Sequence, residues 1–345
     1  MGSQSISRSA PTPNGAADRG PRANLVTIAH LSDVHLPNAR GFSARYWNIK
    51  RGLGWLNWHL KRKRIHSRAA IDALIRDLSA QAPDHIAVTG DLVNIGLPGE
   101  YEAARDWLGT VGTADRVSVV PGNHDIYVEP EGTAGVALWR AYMCSDAFGA
   151  GIACQPASGE DAQFPYVRRI GPAALVGVNS SCATAVGYAD GEVGGEQRAR
   201  LAQLLDRLGS EGLARIVMIH HPPMPGLTAP RRSIRDAAEV AAVIERHGAE
   251  LVLHGHNHRV SHAMIGNARV DGIASASALR ALHDEPEARY TLYRVSSAEG
   301  RVRISRELRG LAPITGVDQE LVVRIFGTNE FECAVAPRAK ATSTT

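Results

Sequence analysis

Residues 25–35 read LVTIAHLSDVH, a mainly apolar run that stops at Ser32-Asp33 and is followed at once by His35. Aliphatic and β-branched residues in a short run bounded by turn formers predict a buried strand, Leu25 to Leu31, that delivers two polar side chains at its carboxyl end. The same arrangement recurs along the chain. His85 to Thr89 stops at Gly90-Asp91, Arg116 to Val120 stops at Pro121-Gly122-Asn123-His124-Asp125, and Leu175 to Val178 stops at Asn179. Arg215 to Ile219 stops at His220-His221-Pro222-Pro223, and Glu250 to Leu253 stops at His254-Gly255-His256-Asn257-His258. Between these runs, Ser67 to Ala80, Gly99 to Leu108, Gly195 to Leu208 and Arg235 to His247 place apolar residues at helical spacing. Strands alternating with helices predict an α/β domain built in layers.

Polar residues at strand ends matter because the carboxyl ends of strands in such a fold converge on one rim. Asp33, His35, Asp91, Asn123, His124, His220, His256 and His258 are far apart in sequence yet would meet there. Imidazole suits Zn, Fe and Mn, while carboxylate and amide oxygens suit Mn and Mg. The spacing in Asp33-Val34-His35 and in His256-Asn257-His258 puts both side chains of each pair on one side of an extended segment. Gly90 and Gly255 allow the backbone to turn tightly beside an ion. Any one of these pieces is common as a turn or a helix cap. Their joint order, each after a buried strand, is what points to a metal centre.

The series Asp33-x-His35, Gly90-Asp91, Gly122-Asn123-His124-Asp125, His220-His221-Pro222-Pro223 and Gly255-His256-Asn257-His258 resembles the calcineurin-like metallophosphoesterase superfamily. The likeness covers roughly Leu25 to Leu308, and the His-His-Pro-Pro element is similar to that of bacterial cyclic-nucleotide and glycerophosphodiester phosphodiesterases. The resemblance implies a four-layer αββα sandwich, here with a helical insertion near the active site. It also implies two divalent ions, Mn, Fe or Zn. Asp33, His35, Asp91 and His258 would hold one ion, Asp91, Asn123, His220 and His256 the other, with Asp91 bridging them. His221 is left outside both sets. The activity implied is hydrolysis of a phosphodiester (a cyclic nucleotide, a glycerophosphodiester or a phospholipid-type substrate) by hydroxide activated at the metal pair. His124 is expected to act as general acid. Asp125 is expected either to orient that imidazole or to serve as a plain turn residue. Phosphomonoesterase and nuclease are the rival activities. A non-catalytic metal-binding scaffold would be missing ligands, and every ligand position is filled.

The chain has 345 residues, 44% hydrophobic and only 5% aromatic, so aliphatic side chains must fill a large core. A formal charge of +3 implies no polyanionic partner by itself, but it conceals an asymmetry. Residues 35–70 contain no Asp or Glu and nine basic residues: Arg40, Arg45, Lys50, Arg51, Lys61, Arg62, Lys63, Arg64 and Arg68. The rest of the chain holds 29 basic against 35 acidic residues. Trp47, Trp55 and Trp58 lie in the same basic stretch. The mixture from Tyr46 to Ile65 fits three settings. It suits a surface helix packing its aromatics on the domain, an anionic membrane surface bound through residues 43–64, or single-stranded nucleic acid.

The metallophosphoesterase domain is expected over residues 25–310, with insertions at 37–66, basic and aromatic, and at 129–164, the latter as the far wall of the pocket. Residues 1–24 read as a disordered tail, rich in Ser, Pro, Gly and Ala. Residues 311–345 read as an extension carrying one strand-like piece, Glu320 to Phe326, and a mobile end. Tyr290 to Val295 and Val302 to Leu308 read as a hairpin around Glu299-Gly300. No apolar run is long enough to span a bilayer, and the amino-terminal stretch has no secretory h-region. Together with scattered Cys144, Cys154, Cys182 and Cys333, which form no CxxC pair, this predicts a cytoplasmic enzyme, peripheral to the membrane if the insertion binds lipid.

Overall fold

The computed structural model describes residues 24–37, 44–62, 65–128, 135–153, 164–282, 285–298, 300–313 and 320–334. Of the expected tail 1–24 and extension 311–345, residues 1–23, 314–319 and 335–345 lie outside the described residues. Two six-stranded sheets form the centre. The first uses β1 (Leu25–Leu31), β2 (His85–Val88), β3 (Val117–Val119), β10 (Arg289–Ala298), β11 (Arg301–Leu311) and β12 (Val323–Ala334), in the order β12-β11-β10-β1-β2-β3. The second uses β4 (Tyr166–Ile170), β5 (Ala173–Gly177), β6 (Ala214–Met218), β7 (Leu251–His254), β8 (Ser261–Ile265) and β9 (Ala268–Gly272), in the order β4-β5-β6-β7-β9-β8. Strands β1, β2 and β3 run parallel, as do β5, β6, β7 and β9. The carboxyl ends within each parallel set therefore point the same way.

Helices α2 (Arg68–Ala80) and α3 (Pro98–Val111) pack with the first sheet, and α5 (Gly195–Ser210) and α6 (Ala237–His247) with the second. Side-chain alternation in the sheets divides the interior. On β6, Ile216 and Met218 join Ile28, Leu31, Val88 and Leu251 in the core shared by both sheets. Val217 and Ile219 turn instead toward Leu201, Leu205, Val240 and Ile244. Strands buried on both faces read as continuous apolar runs, which is why these segments were legible without alternation. Each such Leu or Ile taken out of water contributes about 1.5–3 kcal/mol. The layering is the four-layer αββα arrangement, mixed in strand direction.

Three strands escape a reading from pattern: β4, β8 and β9 are short with mixed burial, and charged residues such as Arg168 and Asp271 are held inside by hydrogen bonds. The last strand also differs from expectation. It spans Val323–Ala334 rather than Glu320 to Phe326, because it pairs with β11 along the edge of the first sheet and exposes most of its residues. Thr328, Asn329, Glu330 and Glu332 hide a strand that its ladder partner enforces. The hairpin of β10 and β11 forms as expected, pairing Arg289 with Gly310 through Ala298 with Arg301. The basic stretch after β1 folds as a 3-10 turn (Ala44–Tyr46), α1 (Ile49–Asn57) and a π turn (Trp58–Arg62).

Of the second insertion, a 3-10 segment (Gly135–Tyr142) and α4 (Ala147–Ala153) are described. Trp139 is buried against Tyr101 of α3, ring centroids 5.6 Å apart, and α4 packs on β4. None of its described residues lines the cleft at the strand ends, so they do not form the far wall expected of them.

Candidate metal centre

Asp33, His35, Asp91, Asn123, His124, His220, His256 and His258 reach one site, whereas Asn179, at the end of the fourth run, pairs with Gln197 away from it. The loop after β1 stays stitched to the loop after β2: Asp33 N–H donates to Gly90 O (2.9 Å) and His35 N–H to Asp91 O (2.8 Å). Asp33, His35, Asp91, Asn123, His220 and His256 are buried, and His258 is largely so. Five of them, Asp33, His35, Asp91, His256 and His258, have φ between 39° and 67°, the left-handed region that L-residues seldom occupy. Two glycines permit the close approach of these loops. A side chain at Gly122 would collide with the Asp91 carboxylate, and one at Gly255 with Ser32 and the Asp33 carboxylate.

The side chains form two overlapping groups. In the first, Asp33 Oδ1 lies 3.2 Å from His258 Nε2, and His35 Nε2 lies 3.4 Å from His258 Nε2. In the second, Asn123 Oδ1 lies 2.9 Å from His256 Nδ1 and 3.2 Å from His220 Nε2, with 3.3 Å between those nitrogens. Asp91 Oδ2 stands between the groups, 3.7 Å from His35 Nε2 and 3.5 Å from His220 Nε2. Two ligands each 2.0–2.2 Å from one ion stand about 2.8–3.4 Å apart. Imidazole nitrogens facing one another at such spacings, buried, are what a cation between them would require. His256 Nε2 is buried without a hydrogen-bond partner among the described residues.

The outward-facing ring nitrogens meet acceptors. His220 Nδ1 lies 2.6 Å from Thr89 O, His35 Nδ1 3.2 Å from Val93 O, and His258 Nδ1 3.2 Å from a Glu285 carboxylate oxygen. An Nδ1–H donated there leaves each Nε2 lone pair aimed inward, the usual support for a ligating imidazole. Burial, and for His256 also the neighbouring imidazoles, lowers the pKa of His220 and His256 and keeps them neutral. Burial acts against the charged form of His258 too, but Asp33 and Glu285 outweigh it and push that ring up to about 9. A proton on His258 then stands where a cation would.

His124 lines the cleft above these groups. Its N–H donates to Asp91 Oδ1 (2.7 Å), its Nδ1 lies 2.5 Å from Asn94 O, and its ring stacks on Tyr127 with centroids 5.5 Å apart. Of the two roles expected for Asp125, its contacts match the turn residue. Its two oxygens accept four backbone N–H bonds, from Asp91 (2.8 Å), Gly122 (2.8 Å), Leu92 (2.8 Å) and Val93 (3.1 Å). Those donors occupy the carboxylate, so it ties the loop after β2 to the loop after β3, and the Asn94 carbonyl takes the place beside the His124 imidazole. Burial and the Asp91 carboxylate push Asp125 up to about 7, against the four donors that favour its charged form.

The cleft, about 260 Å³, also presents residues that the sequence did not single out. Arg232 donates to His256 O (2.7 Å), and Glu285 faces His258. His66 packs its ring 4.7 Å from that of His35 and pairs with Ser277 Oγ (2.7 Å). His221, set aside on sequence, belongs to a group with His220 and His256 whose ligand atoms lie within 4.8 Å of one another. Its two nitrogens face Ser180 Oγ (2.8 Å) and Ala189 O (3.2 Å), which makes it a neighbour of the cluster. Arg232, Glu285 and His66 follow no strand in a repeated pattern, so nothing in the sequence alone separates them from ordinary surface or core residues. A larger hollow near Gln197 and Arg200 contains no comparable His and Asp cluster among the described residues.

Fold and site together define a metal-dependent phosphoester hydrolase. The chain belongs to the calcineurin-like phosphoesterase family, whose pattern matches residues 26–260. It is 28% identical over 218 residues to a probable cyclic nucleotide phosphodiesterase of a Synechococcus strain, covering 62% of this chain and 72% of that protein. It is 29% identical over 185 residues to the glycerophosphodiester phosphodiesterase GpdQ of Enterobacter lignolyticus, covering 52% of this chain and 58% of that protein. The fold is similar to a dimetal phosphatase from Danio rerio, with a TM-score of 0.54 and 14% identity over 81% of this chain and 95% of the other. A purple acid phosphatase from yellow lupin gives a TM-score of 0.51 and 12% identity over 94% of this chain and 58% of the other. Proteins of this family typically bind two divalent metals, and the His and Asp clusters here could hold such ions.

Proposed function

We propose that the chain is a dinuclear phosphodiesterase. Asp33, His35, Asp91 and His258 hold one ion, and Asp91, Asn123, His220 and His256 hold the other. The observation that carries this reading is Asp91 Oδ2, placed between His35 and His220 at 3.7 and 3.5 Å, where one carboxylate serves both groups. Mn, Fe and Zn all suit this donor set. When bound, such ions supply Lewis acidity and lower the pKa of water, giving a hydroxide nucleophile.

The protein's own groups do the rest. Donation of Nδ1–H to the Asn94 carbonyl fixes the His124 ring, and Nε2 is then the nitrogen that exchanges a proton with the leaving oxygen. Stacking on Tyr127 holds the ring plane. Arg232 lines the cleft and offers a positive charge to a phosphate that enters it. The names of two relatives, a cyclic nucleotide phosphodiesterase and a glycerophosphodiester phosphodiesterase, favour a diester over a monoester. Turnover of bis(p-nitrophenyl) phosphate and of p-nitrophenyl phosphate, with Mn present, tests the assignment. Diester turnover should exceed monoester turnover. The reverse order would make the enzyme a phosphomonoesterase.

A further inference from the structure

Helix α1 is mounted the wrong way round for a surface helix. An amphipathic helix normally turns its apolar stripe to the core. Here Ile49, Leu53 and Leu56, spaced i, i+4 and i+7 on one face, are 72%, 51% and 48% exposed. Leu60 in the following turn is 62% exposed. The opposite face is the one that docks. Arg51 is buried and donates to Gly96 O (3.0 Å) and Tyr46 O (3.2 Å). Gly54 lies against Tyr127 and Ile95, close enough that a side chain would clash. Trp58 is buried on the same face. The Asn48 side chain caps the helix by accepting from Arg51 N–H (2.7 Å). Tyr127 O–H donates to Lys50 O (3.2 Å). The orientation is thus fixed by specific bonds, and the apolar stripe is held outward.

The surroundings say what covers it. Residues 35–70 carry nine Lys or Arg and no Asp or Glu. Arg45 is exposed one turn before the helix, and the sequence continues past it with Lys61, Arg62, Lys63 and Arg64. The Trp47 indole lies over Gly52, with most of its surface open. Lys50 Nζ donates to Thr184 O (2.7 Å), tying α1 to a segment in which Val186 and Tyr188 are exposed as well. Arg231 sits over the Tyr188 ring at 5.9 Å. An outward apolar stripe, tryptophan and a stretch of sequence rich in cations and free of acids match the interface of an anionic bilayer. A nucleic-acid strand would call for stacking faces in place of a continuous Leu and Ile stripe, and the core of a protein interface is ordinarily depleted in charge, Lys above all.

We infer that the outer face of α1 and its flanking turn docks onto an anionic lipid surface. Asn57, at the end of α1, lines the cleft, so docking sets the cleft beside the lipid headgroups. This last step rests on the phosphodiesterase reading; the docking itself does not.

The full chain is sedimented with vesicles of phosphatidylcholine plus phosphatidylglycerol, and with phosphatidylcholine alone, at low and high salt. Protein should pellet with the mixed vesicles, and about tenfold less with neutral ones, with salt weakening the effect by screening. The triple variant Ile49→Ser, Leu53→Ser, Leu56→Ser should stay in the supernatant while hydrolysing a soluble diester as the wild type does. Equal pelleting of wild type and variant would overturn the inference. So would a wild type that ignores both vesicles, whether it is instead retained by a single-stranded oligonucleotide or runs as a dimer that the triple variant abolishes. Absence of soluble-diester turnover in the wild type would count against the enzymatic reading alone.

Discussion

At the strand ends, Asp33, His35, Asp91, Asn123, His220 and His256 are polar and buried, whereas a few residues along the chain Ile49, Leu53, Leu56 and Leu60 are apolar and open to water. Both regions break the ordinary partition of side chains, in opposite senses. Buried carboxylate and imidazole groups are costly unless a charge or a hydrogen bond satisfies them. Exposed aliphatic groups cost little singly, but a stripe of them marks a surface that meets something apolar. The first region asks for a cation inside the protein, and the second asks for a partner outside it. The two regions meet at Asn57 and at Ile65-His66, which belong to the insertion and line the metal cleft.

Substitutions can break or sharpen that contrast. The largest effect is expected from Asp91→Ala, which removes the carboxylate shared by both groups. Metal content by elemental analysis should fall together with turnover, the latter by about a thousandfold or more, because charge stabilisation and nucleophile are lost at once. Wild-type turnover in this variant would remove the bridging role. His124→Ala should cut turnover about 10²–10⁴-fold, the usual contribution of a general acid, while metal content stays near normal. Loss of both ions would make His124 structural. Glu285→Gln should weaken metal affinity about 10–100-fold, as expected for the partner of a ligating imidazole, with turnover recovering at saturating Mn. Turnover that stays low at saturating Mn would place Glu285 in the chemistry itself. The smallest effect belongs to the outward stripe: Leu53→Ser with Leu56→Ser should change unfolding free energy in urea by about 0.5 kcal/mol or less. A loss of several kcal/mol would mean that these leucines are covered within the chain.

The parallel strands and their polar ends were open to reading because each doubly covered strand is a plain apolar run ending in a turn. Asp33, His35, Asp91, Asn123, His124, His220, His256 and His258 could be placed on one rim from that alone. Asp125 stayed between two roles, because a carboxylate that accepts four N–H bonds from two loops looks in sequence like any residue beside a histidine. Glu285 and Arg232 were invisible for a related reason: they reach the site from loops that no strand period marks. Strand β12 was misplaced because its polar residues are tolerated at a sheet edge. The insertion showed its composition but not its direction. Only the docked Arg51 and Gly54 reveal that its apolar face looks outward.

The left-handed backbone at Asp33, His35, Asp91, His256 and His258 has a consequence for how the protein responds to its ions. Each such conformation costs on the order of 1–3 kcal/mol in a non-glycine residue, and it persists only where its surroundings enforce it. The ion-free chain therefore carries a standing destabilisation concentrated at one rim. An ion that binds only the folded chain stabilises it by mass action, about 2.7 kcal/mol at a hundred times its dissociation constant. The melting temperature of this enzyme should then act as a gauge of ion supply, climbing with free Mn in the wild type and staying nearly flat in Asp91→Ala.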